Sequence, residues 1–166
     1  MKWRSKLIGL SAFLASIVLL ADSIPLMITS TKDLDNLALD DKSATLQTKL
    51  LRRITGKVTN SWIEISLHFN GDVTTNAPRS GLLLLETQRI INGFDGFRTN
   101  LQQKFPTNEE IVVSFQEGEV HPLMTFKNGA LNEISLLMGT NKVALSTNDI
   151  TSISLFLKKS LVQARQ

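Results

Sequence analysis

The chain has 166 residues, of which 18 are Lys or Arg, 15 are Asp or Glu and none is Cys. One domain of ordinary size accounts for that length. The lack of cysteine excludes a disulfide framework, a thiolate nucleophile, a Cys-ligated metal centre and a lipid-modified cysteine.

Lys2, Arg4 and Lys6 precede Leu7 to Ala21, a run of 15 residues without charge. That order of a basic stretch and an apolar one is the layout of an export signal. Cleavage after Ser23 uses the small-x-small site Ala21-Asp22-Ser23. Retention extends the apolar run to Ile28, 22 residues, long enough at ~1.5 Å per residue to cross a ~30 Å hydrocarbon core. Asp22 and Pro25 interrupt the longer span, so residues 1–23 are read as a signal peptide, with a signal anchor over 7–28 as the alternative. The cations lie before the run and four aspartates follow it, which keeps the amino terminus in the cytosol and places the rest outside, secreted, periplasmic or displayed on a single-pass anchor.

Beyond Ser23 the balance is 15 basic against 14 acidic residues, +1. Nucleic acid is a poor partner for such a surface, and stacking platforms are scarce, with no Tyr in the chain and Trp62 the single tryptophan beyond the leader. No asparagine begins a glycosylation sequon.

Residues 29–45 are polar and acidic with no sustained periodicity, and are read as a tether. Residues 46–166 then form one domain. Leu46, Leu50 and Ile54 recur every four residues, which predicts a helix ending near Gly56. Lys49, Arg52, Arg53 and Lys57 occupy its remaining surface, either as a solvated face or as a contact for anionic lipid headgroups.

Trp62 to Phe69 alternates strictly, with Ile63, Ile65, Leu67 and Phe69 on one side and Trp62, Glu64, Ser66 and His68 on the other, the pattern of a half-buried strand. Asn70-Gly71 predicts a type I′ hairpin returning through Val73. From Ser80 to Phe105 an apolar stripe of helical spacing includes Leu82, Leu85, Ile90, Ile91, Phe94 and Phe97. Gly93 and Gly96 divide it into a kinked pair of helices, with Asn92-Gly93 closing the first and Asp95 capping the second. Phe94 and Phe97 are core residues or the lining of an apolar ligand pocket.

Strands follow at Ile111–Gln116, Val120–Phe126 and Ala130–Met138, with Lys127-Asn128-Gly129 as a hairpin turn. Pro122 marks an edge strand or one that begins late. Ser146 and Asp149 form a capping box, stapled by Leu145 and Ile150, for a final helix with Ile150, Ile153, Leu157 and Leu161 inward. No internal repeat is visible.

The expected fold is α+β: an antiparallel sheet of about five or six strands, with the kinked helical segment and the carboxy-terminal helix packed on one face. Three function classes follow. The first is a noncatalytic exported domain that binds another protein in an envelope or secretory-pathway assembly. The second is a binder of an apolar small molecule or lipid at Phe94 and Phe97. The third is an enzyme or metal protein in which His68 and His121 join Glu64 and Glu119 as ligands. No motif calls for a cofactor, and neither a Gly-x-Ser-x-Gly elbow nor a phosphate loop is present.

Overall fold

The computed structural model describes residues 27–55, 57–71 and 77–166. The leader up to residue 26 and the predicted return through Val73 lie outside the described residues.

The fold is α+β, with two four-stranded antiparallel sheets in place of the single sheet expected. The first holds β1 (Met27–Ala38), β2 (Ala44–Thr55), β3 (Val58–Phe69) and β4 (Arg79–Leu83), in that order, and leads into α1 (Leu84–Asn100). The second holds β5 (Glu110–Ser114), β6 (Val120–Lys127), β7 (Ala130–Met138) and β8 (Asn141–Ala144), again in order, and leads into α2 (Thr147–Ala164). The same meander followed by a helix therefore occurs twice, although the sequence shows no repeat.

Two segments differ from the expected elements. The stretch read as an acidic tether supplies β1, paired with β2 from Met27↔Thr55 to Ala38↔Thr45. The stretch read as a basic helix is β2. Ala44, Leu46, Thr48 and Leu50 are buried, while the residues between them are half-buried, so Leu46 and Leu50 face the core as alternate pairs of a strand. A four-residue recurrence is also two periods of a strand, and polar Thr48 hides the intermediate beat. Thr48 is tolerated in the interior because its hydroxyl shares a 2.8 Å hydrogen bond with Ser160 on α2.

The remaining turns follow local chemistry. Asn128 and Gly129 both take positive φ, 52° and 77°, as a type I′ turn requires between β6 and β7. At Asn70-Gly71 only the glycine does so, and the expected type I′ geometry is not adopted. Pro122 sits in an interior strand, not an edge. It falls between the last β5–β6 pair, Ser114↔Leu123, and the isolated bridge Glu117↔Val120, where the ladder asks no hydrogen bond of it on that side.

The helical stripe begins later than predicted. Leu82 belongs to β4 and is buried, Leu85 is exposed, and α1 starts where Glu86 accepts a 2.7 Å hydrogen bond from the Leu83 N–H. It then runs unbroken through both glycines. Gly93 is needed for close approach: a β-carbon there would lie 2.6 Å from the Phe115 ring, whereas one at Gly96 would meet nothing within 4 Å. Asp95 caps no helix. It accepts from Ser154 at 2.8 Å and from Lys158 at 2.8 Å, tying α1 to α2.

The capping box of α2 forms as read. The Ser146 hydroxyl accepts from the Asp149 N–H at 3.0 Å, and the Asp149 carboxylate accepts from the Ser146 N–H at 2.8 Å. Asp149 also accepts from the Asp40 N–H at 3.0 Å, in the turn between β1 and β2. Both helices pack on the first sheet and on each other. The inner faces of both sheets join them in one core, including Leu50, Ile63, Phe94, Met124, Leu136 and Leu157.

Gly93→Ala is expected to destabilise the fold by ~1–3 kcal/mol through overpacking against Phe115, and a Gly93→Ala/Phe115→Leu double variant to recover part of the loss. Gly96→Ala should stabilise by up to ~1 kcal/mol. Urea unfolding midpoints check both signs.

The carboxyl of Asp95 is held below the ordinary range by the hydrogen bond from Lys158, with Ser154 assisting, and that of Asp35 by the hydrogen bond from Lys159. In the unfolded chain both return to ~3.9, so near and below that pH the unfolded state binds more protons. Their contribution is complete above that value and lost as pH falls through the depressed ones. A Lys158→Met/Lys159→Met variant should therefore show a shallower loss of unfolding free energy between about pH 4 and pH 2 than the wild type, measured by chemical denaturation.

Candidate interaction face

The inner face of the first sheet is covered by the helices, and among the described residues no helix covers its other face, the open face. Register fixes what the open face presents, since cross-strand partners point the same way. Asp33, Lys49, Glu64 and Gly81 form one row across the four strands, and Thr31, Leu51, Trp62 and Leu83 the next. Asn36, Gln47, Ser66 and Arg79 form the row on the other side.

The middle row carries charge of alternating sign. Lys49 pairs with Asp33 at 3.5 Å, and Arg79 approaches Glu64 at 3.9 Å. Beside them His68 shares a 3.0 Å hydrogen bond with the Ser66 hydroxyl. Gln47, Lys49, Glu64, Ser66, His68 and Arg79 line a shallow hollow of about 160 Å³.

The next row is apolar. Trp62 lies beside Gly81, where a β-carbon would come within 3.3 Å of the indole, and the Arg53 guanidinium lies 5.6 Å from the ring centroid. Half-buried Leu51 flanks the indole on one side and Leu83, 55% exposed, on the other; Val58, 59% exposed, follows at the start of β3. An aromatic anchor with an arginine over its ring and a leucine on either flank has the composition of a binding hot spot. The face is nearly neutral, with Lys49, Arg53 and Arg79 against Asp33 and Glu64.

The residues singled out in the sequence distribute differently. Lys49, Arg52, Arg53 and Lys57 do not make one basic face, because strand geometry sends Lys49 and Arg53 to the open side and Arg52 to the other, and Lys57 sits in the turn before β3. His68 and Glu64 share the open face of the first sheet, whereas His121 lies on β6 in the second sheet and Glu119 just before it. Among the described residues no group of three or more His, Cys, Asp or Glu is placed to hold a metal ion. Phe94 and Phe97 are buried and meet the Phe115 ring edge-on at centroid distances of 5.4 and 5.1 Å. A second hollow, of about 330 Å³, opens where short β8 leaves the first half of β7 unpaired, beside Leu131, Glu133, Ile134 and Leu145.

Trp62 is the residue that residue-type reasoning passed over. Its signal is present: it is the one aromatic on the polar side of the β3 alternation, and such an aromatic has no core to enter. Asp33, Arg79 and Leu83 become neighbours of Trp62 and Glu64 only through pairing across strands.

The chain matches no protein-family model and no curated protein.

Proposed function

We propose that this chain is an exported, noncatalytic domain that binds a protein in an envelope or secretory-pathway assembly through the open face of its first sheet. The observation that carries the reading is the row Leu51, Trp62 and Leu83 on that face, half-buried at Leu51 and Trp62 and exposed at Leu83, with Arg53 over the indole. Apolar side chains of that size, gathered on a sheet face outside the core, mark an interaction surface, and Trp and Arg are the residues most enriched among those that dominate interface energetics.

Export rests on the leader. The pairing of Met27 and Ile28 in β1 supports the cleaved form over the longer anchor, because an anchor reaching residue 28 draws both residues out of the sheet. Among the described residues no helix is long and apolar enough to cross a membrane.

Intact mass of the exported protein is expected to give a start at Ile24. Retention of residues 1–23 in the membrane fraction establishes the anchored form, and accumulation in the cytosol defeats export in either form.

A photo-crosslinking residue at Leu83 is expected to trap a protein partner in intact cells, while the same probe at Leu155, equally exposed on α2 at 60%, traps none. Trp62→Ala should weaken the partner by ~2 kcal/mol, about thirtyfold, the loss of a hot-spot side chain. Equal trapping at the two positions sinks the assignment of the face.

A further inference from the structure

We infer that the occupant of the open face is a second copy of this chain, seated face to face about a two-fold axis parallel to the strands; the inference rests on the reading of that face as a binding surface. The warrant is the order of charges across the sheet. Asp33 on β1, Lys49 on β2 and Glu64 on β3 stand at one level, and Arg79 on β4 stands two residues along, giving minus, plus, minus, plus.

That order is its own complement when reversed. A two-fold axis running between β2 and β3, parallel to them, lays β1 over the second copy's β4 and β2 over its β3. Lys49 then faces Glu64 of the other copy, Asp33 approaches the other Arg79, and both contacts occur twice, as an isologous interface requires. A two-fold axis lying along the charged row instead sets Lys49 against Lys49 and Glu64 against Glu64, a like-charge arrangement that selects against itself.

The neighbouring rows agree with the first axis. Leu51 falls over Trp62 of the other copy and Trp62 over its Leu51, so the apolar row meets itself across the axis with aliphatic against aromatic at the centre of the two sheets. Gln47 meets Ser66, Thr45 meets His68, and Arg53 meets Asn60, so no row brings like charges together. Two sheets packed through such faces stand ~10 Å apart with strands nearly aligned. Four strands ~4.8 Å apart and about eight residues of ~3.4 Å each give a footprint of roughly 500 Å². With side-chain relief this approaches the ~800 Å² per partner of a standard interface.

Reciprocal charge reversal tests the arrangement, read by native mass spectrometry of the exported chain with one variant isotopically labelled. The wild type is expected to be dimeric at about 10 µM, and Lys49→Glu and Glu64→Lys should each weaken the dimer at least tenfold. Mixing these two variants should restore a dimer containing one copy of each, because the carboxylate introduced at position 49 of one chain then faces the ammonium introduced at position 64 of the other. Asp33→Lys and Arg79→Glu, at positions 75% and 57% exposed, provide the same reciprocal pair at sites where folding is least sensitive. A wild type that stays monomeric up to about 100 µM, a dimer indifferent to all four substitutions, or mixtures that do not recover each overturns the inference. Trapping of a different protein at Leu83 by a monomeric wild type overturns the second copy while leaving the face as a binding surface; a Leu83 probe that traps nothing removes both.

Discussion

The buried carboxylate of Asp149 accepts from the backbone of Asp40 and of Ser146 at once, so the first turn of the last helix is also a bracket on the first turn of the first sheet. Its 2% exposure makes those bonds obligatory, since an unpaired charge at that depth is far more costly than a lost surface contact. Ser146 closes the bracket by donating to the Asp40 carboxylate at 2.6 Å. Further along α2, Ser160 meets Thr48 and Lys159 meets Asp35 at 2.7 Å. Each joins residues more than a hundred positions apart, and together they fix the last helix over β1 and β2. With α2 held there, α1 packs beside it through Asp95, and the two meanders share one core.

On the proposed reading, this arrangement separates folding from recognition on a single sheet. The side chains of β2 and β3 alternate between a face buried under two helices and a face that contributes little to the core, and the period of two lets both requirements be met in the same dozen residues. The bulge in β1 between Asp33 and Asp35 serves both sides. The extra residue, Leu34, resets the alternation so that Asp33 stays on the open face beside Lys49 while Asp35 turns inward to Lys159. On that reading, substitutions at Leu51, Trp62 or Leu83 act on what the face binds with small effects on stability.

The parts legible in the sequence are those whose local chemistry and long-range packing agree. The Ser146 box, the Asn128-Gly129 turn and the alternation of β3 each carry their own instruction, and all three form. The failures occur where one pattern satisfies two periods or where a residue answers to a distant partner. Leu46, Leu50 and Ile54 fit a helix or a strand equally, and what decides is Thr48, whose partner Ser160 is invisible from its neighbours. Gly93 reads as a helix break and is instead the hollow that admits Phe115. The candidate face was half legible: Trp62, Glu64 and His68 share a side by alternation alone, but the charged row exists only once β1 and β4 have paired on either flank.

On the proposed reading, the edges of the first sheet explain why its face, and not a flank, is the surface left for association. A free strand edge is a template for another strand, and folded proteins disarm it with charge, bulges and brevity. On β1 the exposed Lys32 and Asp33 stand immediately before the Leu34 bulge, which interrupts the flat run of donors and acceptors another strand needs. On β4 the edge is five residues long and turns directly into α1. With growth of the sheet opposed on both flanks, what remains is the open face, where an apolar row beside an alternating charged row offers both burial and register to whatever docks. Burial alone permits many orientations of a partner sheet, whereas the charges, by penalising every arrangement that superposes like on like, leave few.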